Sequence, residues 1–71
     1  MNADLFRATC KYYMELRHIN TREQLREHTS CRSHTTFRKY WNNPTLIPIG
    51  VWEDIMGALK VPREEQIEIL K

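Results

Sequence analysis

A chain of 71 residues is long enough for one domain and leaves little room for an enclosed catalytic pocket. Its apolar content of 41% argues against disorder, and its 2 Gly and 3 Pro exclude a loop-rich fold. The net charge is only +2, but residues 17–41 carry six cations against two anions, whereas residues 42–71 carry three against five. A basic middle segment is expected where one face of a protein meets phosphates.

The first predicted element is a helix from Ala3 to about Ile19. Asn2 is a suitable N-cap, and Asp4 is favourable in the first turn. We expect its buried face to consist of the apolar or small residues that recur at three- and four-residue steps, namely Leu5, Ala8 or Thr9, Tyr12, Leu16 and Ile19.

A second, short helix is predicted from Thr21 to about Thr29. Thr21 and Gln24 match a capping box, in which the N-cap hydroxyl and the later amide each bind a backbone N–H. Leu25 is the one strong apolar anchor of this helix, which must therefore be stabilised by packing. Residues 30–32 then form a tight connection in which Cys31 acts as a small buried hydrophobe.

The third predicted helix begins after the capping hydroxyl of Ser33 and ends near residues 42–43, because Pro44 follows. One face of this helix should bury Phe37 with either Tyr40 or Trp41. The opposite face should present polar and cationic side chains to a partner, namely His34, Thr35, Arg38 and Lys39. Such a face is typical of a helix in the DNA major groove.

Residues 45–49 show no helical pattern, and a fourth helix follows from about Gly50 to Leu59. Its wide apolar stripe indicates a central, well-buried helix. A fifth helix should have Pro62 at its first position and should bury Ile67, Ile69 and Leu70. No segment alternates as a strand would, so residues 1–71 are predicted to form one all-α domain of five helices.

The run from Thr21 to about Leu70 resembles the DNA-binding domain of the lambda-repressor-like or Cro-C1 (XRE) family, a compact five-helix fold with a helix-turn-helix, here at about residues 21–43. The residues that carry the resemblance are Asn43-Pro44 after helix three, the apolar-rich Ile55–Val61 at the end of helix four, and Val61–Glu65 at the entry to helix five. Residues 49–53 are similar to small members from phages or mobile elements.

Three positions depart from the family pattern. Arg26 occupies a position where the family commonly has Ala, and Ser30 lies where the turn usually has Gly. Counted from Leu25, Phe37 comes one residue later than the family's buried apolar position, which indicates a turn lengthened by one residue. With this register, Thr36 either faces the bases or packs against the domain.

The resemblance implies sequence-specific binding of double-stranded DNA and transcriptional regulation in a phage or mobile element. We expect His34, Thr35 and Arg38 to face the major groove, with Arg38 positioned for bidentate contact with guanine. The full set of expected DNA-binding residues is Thr21, Arg22, Arg32, Ser33, His34, Thr35, Thr36, Arg38, Lys39 and Asn43. The resemblance leaves open a homodimer that meets around helix five or a monomer.

Other functions fit the sequence less well. The spacing His28-x2-Cys31-x2-His34 offers three metal ligands but no second pair for a zinc site, so no metal is expected. No Gly-rich phosphate loop or nucleophile elbow is present, so neither an enzyme, a cofactor nor a small-molecule substrate is expected. The alternative is a helical protein-protein interaction module that uses exposed aromatic side chains.

The sequence also predicts where in the cell the protein is located. Asp4 and Arg7 among the first apolar residues do not fit a secretion signal, and no run approaches the ~20 apolar residues that span a bilayer. Two cysteines do not make a disulfide scaffold. We therefore expect a soluble, cytoplasmic protein with reduced thiols and without a membrane partner.

Overall fold

Five α-helices make up most of the computed structural model, which describes residues 1–71. They are α1 (Ala3–Leu16), α2 (Arg22–Glu27), α3 (His34–Asn42), α4 (Ile49–Leu59) and α5 (Arg63–Leu70), with a 3₁₀ helix, Pro44–Leu46, between α3 and α4. The structure has no strand, and the Cα radius of gyration is 10.9 Å. The prediction of a compact, all-α chain with five helices is therefore confirmed.

The predicted N-caps of the first three helices are all present. In each case the cap side chain accepts a hydrogen bond from the backbone N–H three residues later, at 3.0 Å for Asn2 to Leu5, 3.1 Å for Thr21 to Gln24 and 3.2 Å for Ser33 to Thr36. The Gln24 amide oxygen reaches back to the N–H of Asn20 at 2.6 Å, one residue before the position that a capping box uses. These bonds satisfy backbone donors that a helix start leaves free.

Several helix boundaries differ from prediction. α1 ends at Leu16 rather than Ile19, because His18 adopts a left-handed conformation with φ 59°. The N–H of Ile19 then bonds to the carbonyl of Met14 at 2.8 Å, which closes the helix end. α2 ends at Glu27 rather than near Thr29, and Pro62 lies before α5 rather than within it. A 3₁₀ helix occupies part of the predicted connector.

The core is a single cluster of 16 buried apolar side chains drawn from every α-helix. At its centre, Phe6 of α1 is fully buried between two tryptophans. Its ring centroid lies 5.7 Å from Trp41 of α3 in an edge arrangement and 5.6 Å from Trp52 of α4 in a stacked one. This aromatic group holds α1, α3 and α4 together.

The buried faces of α1 and α5 differ from those predicted. α1 buries Phe6, Thr9, Cys10, Tyr13 and Met14, whereas Leu5, Tyr12 and Leu16 are exposed. Most of the predicted stripe is thus displaced by one residue, because α1 turns Phe6 towards the two tryptophans. In α5 only Ile69 is buried, while Ile67 and Leu70 remain about half exposed.

A hydrogen bond joins α1 to α5. The Tyr13 hydroxyl donates to a carboxylate oxygen of Glu65. This bond, together with burial, raises the pKa of Tyr13 from 10.0 to about 12, because ionisation would place two negative charges side by side. The folded chain therefore binds the phenolic proton more tightly than the unfolded chain does.

We predict that Tyr13→Phe lowers stability at neutral pH and that its difference from wild type shrinks at alkaline pH. The contribution of Tyr13 is fully present below the unfolded pKa of 10.0 and is lost as pH rises towards about 12, since the unfolded chain then releases its proton first. Urea unfolding of both proteins, from roughly pH 8 to pH 11.5, measures how the difference in their free energy of unfolding changes with pH. The control is Tyr12→Phe, which removes an exposed hydroxyl without an intramolecular partner, and a pH-independent difference for Tyr13→Phe would contradict the prediction.

Candidate nucleic-acid interface

α3 has the two faces that its sequence predicts. Phe37 and Trp41 are buried, and Tyr40 is half-buried against the core. The side chains of His34, Thr35, Arg38 and Lys39 are exposed, and Thr36 lies at the boundary between the two faces. An amphipathic helix of this kind can offer its polar face to a partner without disturbing the core.

A groove of about 380 Å³ lies between the start of α2 and the exposed face of α3. Its lining, which defines the α2–α3 groove, is Arg22, Glu23, His34, Phe37 and Arg38. The structure thus brings together three of the predicted DNA-binding residues, Arg22, His34 and Arg38. Neither Arg22 nor Arg38 forms an intramolecular hydrogen bond or ion pair through its side chain, so both guanidinium groups are available to a ligand.

Glu23 is the one acidic residue of the α2–α3 groove, and Arg26 binds it. The Arg26 Nε lies 2.9 Å and 3.0 Å from the two carboxylate oxygens of Glu23. This bond lowers the pKa of Glu23, with a smaller contribution from the charge of His34. Because Arg26 neutralises the carboxylate, the positive charge of Arg22 and Arg38 dominates the groove.

Arg26 also supports the connection between α2 and α3, residues 28–33. Its Nη1 donates to the carbonyl oxygens of Cys31 at 3.0 Å and Arg32 at 3.1 Å. The side chain is only 17% exposed. Arg26 therefore fixes the end of α2 to the approach to α3.

We expect Arg26→Ala to lower the melting temperature, because it leaves the Cys31 and Arg32 carbonyls and the Glu23 carboxylate without their donor. The matched control is Arg22→Ala, which removes the same charge from the same helix but breaks no intramolecular bond. Thermal denaturation followed by circular dichroism distinguishes the two variants. Equal melting temperatures for both would show that the bonds of Arg26 do not stabilise the connection.

The connection is also attached to α4 and is partly buried. The backbone N–H of Ser30 donates to the Asp54 carboxylate at 2.9 Å, and Cys31 is buried as predicted. The hydroxyl of Thr29 donates to the carbonyl of Arg26 at 2.8 Å and accepts from the N–H of Cys31 at 3.2 Å. These bonds fix the position of α3 relative to both α2 and α4.

The metal ligands suggested by the sequence do not form a site. No group of three His, Cys, Asp or Glu side chains is arranged to hold a metal ion. The Nδ1 of His28, just after the end of α2, lies 2.9 Å from the carbonyl oxygen of Gln24 in that helix. Both cysteines are buried and free, and burial raises the pKa of the Cys10 thiol to about 12.

The other predicted DNA-binding residues do not line the α2–α3 groove. Thr21 and Ser33 use a hydroxyl lone pair as a helix cap, which leaves each hydroxyl proton free to donate. Asn43 accepts a hydrogen bond from the Thr45 hydroxyl at 2.6 Å. Arg32 and Lys39 are exposed and have no intramolecular partner for their charged groups.

Two cations of the basic middle segment are structural. Arg26 supports the α2–α3 connection, and the Nε of Arg17 donates to the carbonyl of Leu59 at 2.9 Å, at the end of α4. In α1, Arg7 similarly donates to the carbonyl of Trp41 at 2.9 Å, at the end of α3. Counting charges along the sequence therefore overstates the positive charge available to a partner.

Lys11 of α1 was not among the DNA-binding residues predicted from the sequence. It lines a cavity of about 350 Å³ next to the α2–α3 groove, and the two share Arg22. This second space, the α1 cavity, is lined by Lys11, Met14, Asn20, Thr21, Arg22 and Trp41. Lys11 precedes the basic segment by several residues, so only the packing of α1 against α3 could reveal its position.

Comparison with protein-family models, with curated proteins and with solved structures finds no match for this chain. None of its helices has the length and apolar character required to cross a membrane.

Proposed function

We propose that this protein binds double-stranded DNA, with α2 and α3 acting as a helix-turn-helix of the lambda-repressor type. The observation that carries the proposal is the α2–α3 groove, where the unpaired guanidinium groups of Arg22 and Arg38 flank His34. A helix with a buried apolar face and an exposed face of small polar and cationic side chains suits the major groove.

Five of the exposed residues have a proposed role. Arg38 reads guanine through two parallel hydrogen bonds, and Thr35 contacts a thymine methyl group or donates a hydrogen bond to a base. Backbone phosphates are held by Arg22, Arg32 and Lys39, which contribute affinity and fix the register. We further propose that the protein regulates transcription in a phage or mobile element, as the family resemblance implies.

The test is a fluorescence-anisotropy titration of mixed-sequence duplex DNA from about 50 to about 200 mM salt. We expect binding at low salt that weakens steeply as salt is added, with a slope near −0.9 for each phosphate contacted. Circular dichroism on the same sample establishes that the protein is folded. Absence of binding by the folded protein at low salt would contradict the proposal.

A second candidate function, binding to another protein molecule, is favoured by an exposed apolar patch. Five apolar residues surround a depression of about 190 Å³ there, namely Met1, Ile47, Ile49, Trp52 and Leu70. Ile49 is 78% exposed, which is unusual for so apolar a side chain. The patch shares no residue with the α2–α3 groove, so it is also where we propose that two copies of a DNA-bound dimer meet.

The patch is tested without DNA. Sedimentation velocity over a range of protein concentrations should show self-association that Ile49→Glu abolishes and that added salt does not weaken, because the interface is apolar. Gly57→Glu, at an exposed position of the same helix with open space around its Cα, is the control for added charge. Monomers at all concentrations would exclude a self-associating patch.

A further inference from the structure

The cations of this chain fall into two groups, apart from Lys71, whose Nζ pairs with the Glu68 carboxylate at 3.0 Å. Arg7, Arg17 and Arg26 donate to main-chain carbonyls and hold helix ends or the α2–α3 connection in place. A second group has no intramolecular hydrogen bond or ion pair at the charged group, namely Lys11, Arg22, Arg32, Arg38, Lys39, Lys60 and Arg63. Cations in this second group are available to an anionic partner.

Lys11 is distinguished within the second group by its surroundings. It lines the α1 cavity together with Arg22, and no acidic residue takes part in that lining. The side-chain amide of Asn20 has no intramolecular partner, and the Thr21 hydroxyl has its proton free because its oxygen accepts from Gln24. Two cations and two neutral hydrogen-bond donors therefore surround one concave space.

The α1 cavity continues the α2–α3 groove because Arg22 lines both. A nucleic-acid strand that leaves the groove beside α3 would next pass over Lys11. The run of cationic lining formed by Arg38, Arg22 and Lys11 ends at Lys11, because the next cavity along α1 is lined by Lys11 together with Glu15. The Lys11 side chain thus lies at the boundary between a basic and a mixed surface.

We propose that the α1 cavity seats a backbone phosphate of the DNA, held by Lys11 and Arg22, with Asn20 and Thr21 as neutral donors. This assignment extends the interface from α2 and α3 to α1, and it rests on the proposed DNA-binding function. A phosphodiester is recognised by this combination of ammonium, guanidinium, amide and hydroxyl donors. The contact is independent of base identity, so it supplies affinity and orientation rather than sequence selectivity.

The first experiment compares the salt dependence of DNA binding for wild type, Lys11→Gln and Lys60→Gln. Lys60→Gln makes the same change at an exposed lysine without an intramolecular partner at the end of α4. We expect Lys11→Gln to reduce the slope of log affinity against log salt by up to about 0.9, the value of one whole phosphate contact, since Arg22 still reaches the same phosphate, and Lys60→Gln to leave the slope unchanged. Lys11→Arg should restore the slope, and Lys11→Gln should keep the wild-type melting temperature because Lys11 is exposed.

A second experiment locates the phosphate. Duplexes that carry one neutral methylphosphonate linkage at successive positions are titrated with wild type and with Lys11→Gln. At one linkage the substitution should weaken wild type several-fold and weaken Lys11→Gln less, because that variant has already lost one of the two cations that hold this phosphate and keeps only Arg22. Elsewhere the two proteins should respond alike.

The outcomes separate this inference from the function on which it rests. If Lys11→Gln keeps the wild-type slope and linkage pattern while Arg38→Ala loses binding, α1 takes no part in a real DNA interface and the inference is wrong. If folded wild type does not bind DNA at low salt, the proposed function itself fails. If Lys60→Gln lowers the slope as much as Lys11→Gln does, the effect is one of net charge and overturns the assignment to the cavity.

Discussion

Phe37→Ala is expected to lower the free energy of unfolding by about 3–5 kcal/mol. Phe37 is 3% exposed, and with Trp41 it makes up the fully buried face of α3. Truncation removes the apolar burial of a ring and leaves a cavity that neighbouring helices fill only in part. Because domains of this size have small total stability, a loss of this size unfolds a substantial fraction of the protein.

Urea unfolding followed by circular dichroism measures this loss. Phe37→Leu keeps most of the apolar volume and should remain folded with a smaller loss, so the comparison stays measurable if the alanine variant unfolds. Tyr12→Ala is the matched control, since it truncates an aromatic residue that is 59% exposed. An unchanged midpoint for Phe37→Ala would show that α3 is not anchored through this face, and the proposed orientation of its polar face would fail with it.

The starts of the first three helices were predictable because their signals are local. Asn2, Thr21 and Ser33 each bind an N–H three residues ahead, so residue type and spacing are enough to locate the cap. The ends were less predictable. α1 ends before the predicted Ile19, where His18 adopts a left-handed conformation with φ 59° and Gly would be the usual signal, whereas α4 ends at Leu59 as predicted, although Lys60 has a similar conformation with φ 56°.

The buried faces depended on tertiary packing. α1 carries two adjacent apolar stripes, and the periodicity alone does not choose between Leu5 with Tyr12 and Phe6 with Tyr13. The choice is made by Trp41 and Trp52, which enclose Phe6 from two other helices. In the same way, α5 buries Ile69 and leaves Ile67 exposed because only one narrow face of this short helix meets the core.

In the candidate site, too, some features followed from local sequence and others depended on tertiary packing. The exposed face of α3 followed from the sequence, because burying Phe37 fixes where Arg38 points on a helix of known period. The roles of Arg26 and Lys11 did not follow. Arg26 binds carbonyls beyond the end of its own helix, and Lys11 reaches the interface through the packing of α1 against the rest of the domain.

The double variant Arg38→Ala, Lys39→Ala is expected to abolish measurable DNA binding at moderate salt. Arg38 alone should cost about 1–3 kcal/mol on a specific duplex if it reads a base, and Lys39 alone should weaken all duplexes uniformly and lower the salt slope by about 1. Neither side chain has an intramolecular partner, so the double variant should keep the wild-type melting temperature. A loss of binding would then be a loss of contacts with DNA.

The control that gives this result its meaning is Lys60→Ala, Arg63→Ala, which removes the same charge from the end of α4 and the start of α5. If positive charge anywhere on the domain drives binding, the two double variants lose affinity equally. The interaction is then a sequence-independent, salt-dependent attraction to phosphates. If α3 lies in the major groove, only the first loses binding, and discrimination between duplexes disappears with Arg38 rather than with Lys39. Unchanged affinity in Arg38→Ala removes that residue from the site and leaves the apolar patch around Ile49 as the surface to pursue.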